Sequence, residues 1–345
     1  MRVVDAPAKQ IATIARARGP ELSELITLHA DALSDALAKQ LELVAWDREQ
    51  LVGQIQTRVV ELNRSRPSLR PGPPVRVIER RGQPLEALEV VWSWLRRGRA
   101  VLLQRQPDAC TGTLDLLRNM VDAFAPGVLT IEDEVTEPLP SGYVEGGVPD
   151  PEPRVAVIDS DADRELAAYV LARTGLRRSG VDPRGVKVAY AAGELELLQR
   201  HLRRLWVGVT VGPANDPESF AGPVPPGVRD RFVEVYAQWK EHEGVETWCP
   251  GGILERMGDP RCYLAPALFH TSWPLPDLPL VGPMLVVVGC DDETLREGAR
   301  NTQRDGGQVV QIGGRPGAVE QPIRHVRGAL LVERLPPGLP DPRPV

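Results

Sequence analysis

The stretch RVAVIDSDADRELAAYVLARTGLRRSGVDPRGVKVAY, residues 154–190, decides the fold. Val155, Val157 and Ile158 form a short β-branched run, the composition of a strand. Asp159, Asp161 and Asp163 follow, an acidic group suited to a helix N-terminus, whose unpaired N–H groups and dipole favour negative charge. Leu166, Ala167, Val170 and Leu171 then recur at helical spacing, Gly175 can stop the helix, and Val186 and Val188 resume an extended alternation. The stretch reads as strand, helix, loop, strand.

Working outward, the N-terminal side repeats the theme after a helical preface. Leu22, Leu25, Ile26, Leu33, Leu37, Leu41 and Val44 lie on one stripe, continued by Leu51, Ile55, Val59 and Leu62 after a break near Trp46 and Asp47. Two helices sharing one buried face are expected, packed on a core rather than on a partner helix. A Pro-rich connector, SRPSLRPGPP, leads to a strand at 75–78, a helix over 85–95 ended by Gly98, and a strand at 100–103. Thr113 is expected to cap a helix carrying Leu114, Leu117, Val121 and Phe124, and 127–131 closes the unit as a strand. Alternating strand and helix implies a parallel sheet with right-handed crossovers, a Rossmann-like remnant.

At 345 residues, 42% of them apolar and 26% charged, the chain is long enough for one large or two medium domains. A formal charge of −6 argues against a general nucleic-acid binder. The longest apolar run, 280–290, is broken by Gly282 and Pro283 and falls short of the roughly 20 residues a membrane span needs. The N-terminus shows no secretory pattern, and Cys110, Cys249, Cys262 and Cys290 are scattered, so a reduced, cytoplasmic protein is expected. The five histidines pair with no cysteine or acid at ligand spacing, so no metal is expected. The aspartates at 159, 161 and 163 lack the glycine and terminal glutamate of a calcium loop.

The order of these segments resembles the aldehyde dehydrogenase family. There a strand, an acidic helix start and a long helix lead to a catalytic cysteine in a loop, followed by a proline and a new strand, much as residues 154–190 are laid out. Downstream, PANDPESFAGPVPPGVRDRF is similar to the family's "LKVGDPLDPDTDMGPLISEAQRERV", GDPRCYLAPAL to "GYFVEPTVL", LPLVGPM to "EEIFGPV" and DDETLREGARNT to "DEDEAIALANDT". The run Ala329-Leu330-Leu331-Val332 with Glu333 resembles the C-terminal strand that members lend to a neighbouring subunit, with a solvated Pro-rich tail beyond it.

The departures fall on the chemistry. Counting back from Pro183 puts Gly180 at the position of the nucleophilic cysteine, and glycine has no nucleophile. Gln83 stands near the oxyanion asparagine, Gln104 replaces the cofactor-binding lysine, and Pro279 replaces the glutamate that holds the nicotinamide ribose. Only IEDEVTEPLPSGYVEGGVPDPEP separates Ile131 from Arg154, too short for the family's further strand–helix units and lacking a Gly-rich phosphate turn. Glu145-Gly146-Gly147 matches the "ELGG" base motif only superficially.

Other readings of these residues stay open at the level of sequence. Ser179 becomes a candidate nucleophile if the register shifts by one, but it needs a base, and no histidine is near in sequence. Cys110 precedes a helix start, where a thiol can be activated, or is an ordinary buried loop cysteine. Arg173, Arg177, Arg178 and Arg184 crowd the former cysteine loop, as a solvated charged face or as a converted pocket for a carboxylate or phosphate.

The resemblance therefore implies an α/β fold, aldehyde dehydrogenase-like. N-terminal helices (1–66) and an abbreviated Rossmann-like domain (67–150) precede an α/β catalytic-type domain (151–320) and a C-terminal oligomerisation strand with a Pro-rich tail (321–345). The leading expectation is a catalytically inactive homologue acting as a structural or regulatory subunit, in a homo- or hetero-oligomer, without cofactor, nucleic acid or membrane. The alternatives are an aldehyde oxidoreductase using NAD or NADP through an atypical site, and an anion or small-molecule sensor.

Overall fold

The N-terminal apolar stripe folds as three helices, not two: α1 (Ala8–Leu28), α2 (Ala30–Leu41) and α3 (Ala45–Arg64). The expected break near Trp46 lies a few residues earlier, where Glu42 adopts a left-handed conformation (φ 55°) and closes α2. A second break falls at His29, whose N–H turns back onto Leu25 O. Helix α1 starts ahead of Leu22 because Ile11, Ala12 and Ala15 extend the buried stripe backwards, carrying Pro20 within the helix. The structure, a computed structural model, describes residues 7–147, 152–328 and 335–341. The chain divides into two units, Met1–Asp150 and Pro151–Val345.

In the first unit the helices are followed by β1 (Val75–Glu79), α4 (Glu86–Arg96), β2 (Val101–Arg105), α5 (Gly112–Val121), β3 (Leu129–Ile131) and β4 (Val144–Glu145). The strands form one parallel sheet in the order β3-β2-β1-β4. Both helical crossovers step in the same direction, so right-handedness places α4 and α5 on one face. Helices α1 to α3 pack on those two as an outer layer. Val75, Val77, Val101, Leu103 and Leu129 meet Leu88, Val91, Trp92 and Leu117 in that core. Thr113 does not cap α5 but lies in its first turn, fully buried. Thr111 precedes the helix, and its N–H is satisfied at 2.8 Å by Gln40 Oε1 from α2, an acceptor distant in sequence.

The opposite face of this sheet is closed by a strap, residues 132–147, rather than by further helices. Gln104, fully buried, donates to Glu132 Oε2 (2.6 Å) and Thr136 Oγ1 (2.9 Å). Arg76, also buried, donates to Thr136 O (2.6 Å) and, through Nε, to Glu145 Oε1 (3.0 Å). Backbone bonds from Glu132 N to Leu103 O and from Gly146 N to Arg76 O anchor the two ends of the strap. Gly146 must be small, because a Cβ there would stand 2.8 Å from Val75 Cβ.

The second unit runs β5 (Arg154–Ile158), α6 (Arg164–Gly175), β6 (Val186–Ala191), α7 (Leu195–Gly208), α8 (Pro226–Glu241), β7 (Val245–Cys249), β8 (Gly252–Leu254) and β9 (Tyr263–Ala265). It continues with β10 (Ala267–Ser272), β11 (Met284–Gly289), α9 (Asp292–Arg304), β12 (Gln308–Ile312) and β13 (Arg324–Val326). Seven strands share a sheet in the order β13-β12-β5-β6-β11-β10-β7, parallel except for the antiparallel edge strand β7, and β8 and β9 make a separate hairpin. The step from β5 to β6 and the return from β11 to β12 run in opposite directions, so α6 and α9 cover opposite faces. Asp163 and Asp291 cap α6 and α9, accepting from Leu166 N and Thr294 N, each at 2.8 Å.

The run Ala329-Leu330-Leu331-Val332 and Glu333 lies outside the described residues. Part of the Pro-rich tail packs on the fold instead of being solvated. Gly338 O accepts from Thr210 N at 2.8 Å, Leu339 is buried, and Pro340 fills the space that Gly208 leaves by having no side chain.

Candidate functional site

Helix α6 delivers the chain into a tight turn, Arg177–Gly180, at the amino end of β6. Arg178 (φ 51°), Ser179 (φ 57°) and Gly180 (φ 73°) are left-handed in succession. Each L-residue held this way costs roughly 1–2 kcal/mol, and only glycine adopts it freely. Such strain persists only where the surroundings over-determine it. Here Ser179 Oγ accepts from Gly222 N (2.7 Å) and donates to Gly222 O (2.9 Å), while Gly180 N donates to Leu176 O (3.2 Å).

Lys187, on β6, secures the turn from the other side. Its Nζ donates to Gly180 O and Gly282 O, and at 3.4 Å to Gly175 O. Burial pushes this ammonium down to about 7, with Asp182 pulling the other way. Three carbonyl acceptors match the three N–H donors of the charged amine, and burial opposes that charge. Gly282 and Pro283 are thereby held against the turn, and a Cβ on Gly180 would stand 2.4 Å from Pro283 Cα and 2.5 Å from the Gly282 carbonyl carbon. Position 180, where the resemblance puts a nucleophile, thus has neither a thiol nor room for one. Lys187 was missed in the sequence; the available signal was a lysine between Val186 and Val188 in an otherwise apolar strand.

The arginine loop surrounds an acid of its own. Arg177 Nε lies 3.0 Å from Asp182 Oδ2, and Arg184 N donates to Asp182 Oδ1 at 2.9 Å. Asp182 is only 5% exposed. Burial alone would raise its carboxyl, but Arg178, Arg177, the Arg184 N–H and the Arg184 charge outweigh it and hold the group below the usual carboxylate range. Arg173 lies on Tyr169, donating to its hydroxyl at 3.1 Å with the guanidinium 5.8 Å from the ring centre.

The remaining positions singled out by sequence are spread across both units. Gln83 is buried in the first unit, with its amide 3.3 Å from Glu86 Oε2, and Gln104 is the strap anchor described above. Pro279, in the second unit, is exposed and accepts from Trp239 Nε1 through its carbonyl (2.7 Å). Glu145, of the Glu-Gly-Gly run, is paired with Arg76. Burial pushes the Cys110 and Cys290 thiols up to about 11 and raises Cys249, the opposite of an activated nucleophile. Among the described residues no three His, Cys, Asp or Glu side chains are grouped to hold a metal, and no helix is long and apolar enough to cross a membrane.

Two parallel α/β units with this order of elements define an aldehyde dehydrogenase-like fold. The chain is similar to an NAD-dependent benzaldehyde dehydrogenase from Corynebacterium glutamicum at 16% identity and a TM-score of 0.69, covering 94% of this chain and 81% of that one. Lactaldehyde dehydrogenase from Escherichia coli matches at 16% identity and 0.69, covering 91% and 76%. Succinate-semialdehyde dehydrogenase from Burkholderia pseudomallei matches at 14% and 0.71, covering 93% and 77%. At these identities the likeness is one of fold. No family model matches the sequence, and no curated protein matches it.

Proposed function

We propose that this chain is a non-catalytic protein on the aldehyde dehydrogenase-like fold, acting as a structural or regulatory subunit in a reduced, cytoplasmic setting. The observation that carries the reading is the closed position at Gly180, where Gly282 and Pro283 fill the volume a nucleophilic side chain needs. Ser179 offers no substitute, because its hydroxyl is committed in both directions to the Gly222 backbone. We read the arginine cluster as the counter-charge of buried Asp182 rather than as a seat for an external anion.

The residues at the cofactor positions do not fit a nicotinamide dinucleotide. The Gln104 amide is used up by the strap, and Pro279 presents a ring and a carbonyl already bonded to Trp239. Association is assigned to the edges of the seven-stranded sheet, β7 and β13, because an edge strand presents unpaired N–H and C=O groups to another chain. The test is titration of the purified protein with NAD and NADP, following tryptophan fluorescence and melting temperature, beside sedimentation of the same sample. The expected result is no saturable response up to about millimolar cofactor together with a species heavier than one chain. A saturable response at micromolar cofactor, with aldehyde consumption, overturns the reading.

A further inference from the structure

Arg164 is the first residue of α6, and it turns back beneath the loop that precedes it. Its Nη2 donates to Ala192 O (2.6 Å) and Ser160 O (3.3 Å), and Nη1 to Asp159 O (3.3 Å). The side chain is 6% exposed, and among the described residues no carboxylate comes within ion-pair distance of it. Burial lowers its pKa, with Glu194, Asp161 and Asp159 pulling the other way from further off. A buried cation hydrogen-bonded only to neutral carbonyls, with its carboxylates beyond ion-pair distance, is an expensive feature to keep. The fold nevertheless makes room for it: Gly193 (φ 83°) has no Cβ, and one placed there would stand 2.7 Å from Nη2.

Arg164 is one of the residues lining a groove of about 610 Å³ beyond the carboxyl ends of β5 and β6, the side of an open parallel sheet on which ligands bind. Asp161, Asp163, Glu165, Glu194, Arg200 and His201 line the rest. Asp161 and Asp163 each engage one oxygen with a backbone N–H, of Gly314 and Leu166, which leaves each a second oxygen. Glu165 and Glu194 form no ion pair among the described residues. Four carboxylates against two guanidiniums disfavour a bare anion such as phosphate. The buried cation in the same wall disfavours a bare amine.

We propose that this groove binds a small amino carboxylate, its carboxylate on Arg164 and its ammonium among the carboxylates of Asp161, Asp163, Glu165 and Glu194. A dipolar ligand satisfies both signs of charge at once. Its carboxylate supplies the charged acceptor that Arg164 lacks within the protein, and an arginine–carboxylate bond is about twice as strong as a neutral one. This site is separate from the Gly180 turn, so it stands or falls independently of the non-catalytic reading.

The test is the melting temperature and calorimetric titration of the full chain with glycine, β-alanine, γ-aminobutyrate and lysine, with acetate and butylamine as single-charge controls. A saturable rise with at least one amino carboxylate, and with neither control, is expected below about 10 mM. R164Q should abolish it. Because Arg164 also ties two loops together, that variant can fail to fold, and the double variant E165Q/E194Q then decides. It should weaken the amino carboxylate roughly three- to tenfold, two weak charge contacts' worth, and let acetate bind. No saturable response to any amino carboxylate, an equal response to acetate or butylamine, or unchanged binding by E165Q/E194Q overturns the proposal.

Discussion

Replacing Gly180 with cysteine puts a thiol back where the resemblance to aldehyde dehydrogenases calls for one, and two separate costs oppose it. The first is conformational: at φ 73° an L-residue gives up roughly 1–2 kcal/mol. The second is steric, since the new Cβ would lie 2.4 Å from Pro283 Cα, a backbone atom that cannot swing aside. The segment that must yield is tied through Gly282 O to Lys187 Nζ. Overpacking of this kind costs about 1–3 kcal/mol, so the two together come to roughly 2–5 kcal/mol. Urea unfolding should show a lower midpoint at an unchanged slope. G244A supplies the control, because Gly244 has φ 80° with nothing within 4 Å of its ideal Cβ and should pay the conformational cost alone. G180C should acquire no NAD-dependent oxidation of an aldehyde. The reasoning is refuted if G180C unfolds at the wild-type midpoint, or loses no more than G244A, or turns over an aldehyde.

The pH profile should carry two opposite contributions. Burial pushes Glu79 up to about 8, so the folded chain holds a proton there that an unfolded carboxyl releases near 4.3. Its contribution is full in acid and is lost as pH rises through 8, with a limiting slope of about 1.4 kcal/mol per pH unit. E79Q should flatten that part of the urea midpoint curve. Lys187, pushed down to about 7, acts the other way: stability rises between about pH 7 and the ordinary lysine range near 10.4, and K187M should remove the rise. S179A should cost about 1–3 kcal/mol in the same unfolding assay, because the buried N–H and C=O of Gly222 each lose their hydroxyl partner.

What could be read from the sequence was what neighbouring residues decide together. The strand at 154–158, the acidic start of α6 and the stop after α4 at Gly98 are all local matters. Thr113 misled because the helix begins before it: Asp115 N, one of the donors a cap at 113 would meet, already bonds to Thr111 O, while Gln40 of α2 serves Thr111 N. The closing of Gly180 by Gly282 and Pro283, and the three carbonyls gathered by Lys187, depend on chain segments about a hundred residues apart that no periodicity connects. The arginine loop was a different case. Its counter-ion, Asp182, stood inside the same short stretch, but only the turn of the backbone shows that Arg177 reaches it.

The strap across the first unit also sets an order of events. Strand β4 pairs with β1 through only Val75↔Val144 and Arg76↔Glu145, and the Arg76–Glu145 contact joins residues 69 apart in sequence. Closing so long a loop for two rungs of ladder is entropically late work, so β1, β2 and β3 with their two helices should assemble first and the strap last. Fluctuations should run in reverse, with the amides of Val144 and Gly146 exchanging with solvent well before those of Val101 or Leu103. Each such opening wets Arg76 and Gln104 and bares the free edge of β1. The strap therefore governs both how fast this unit matures and how long it offers a sticky edge to other chains.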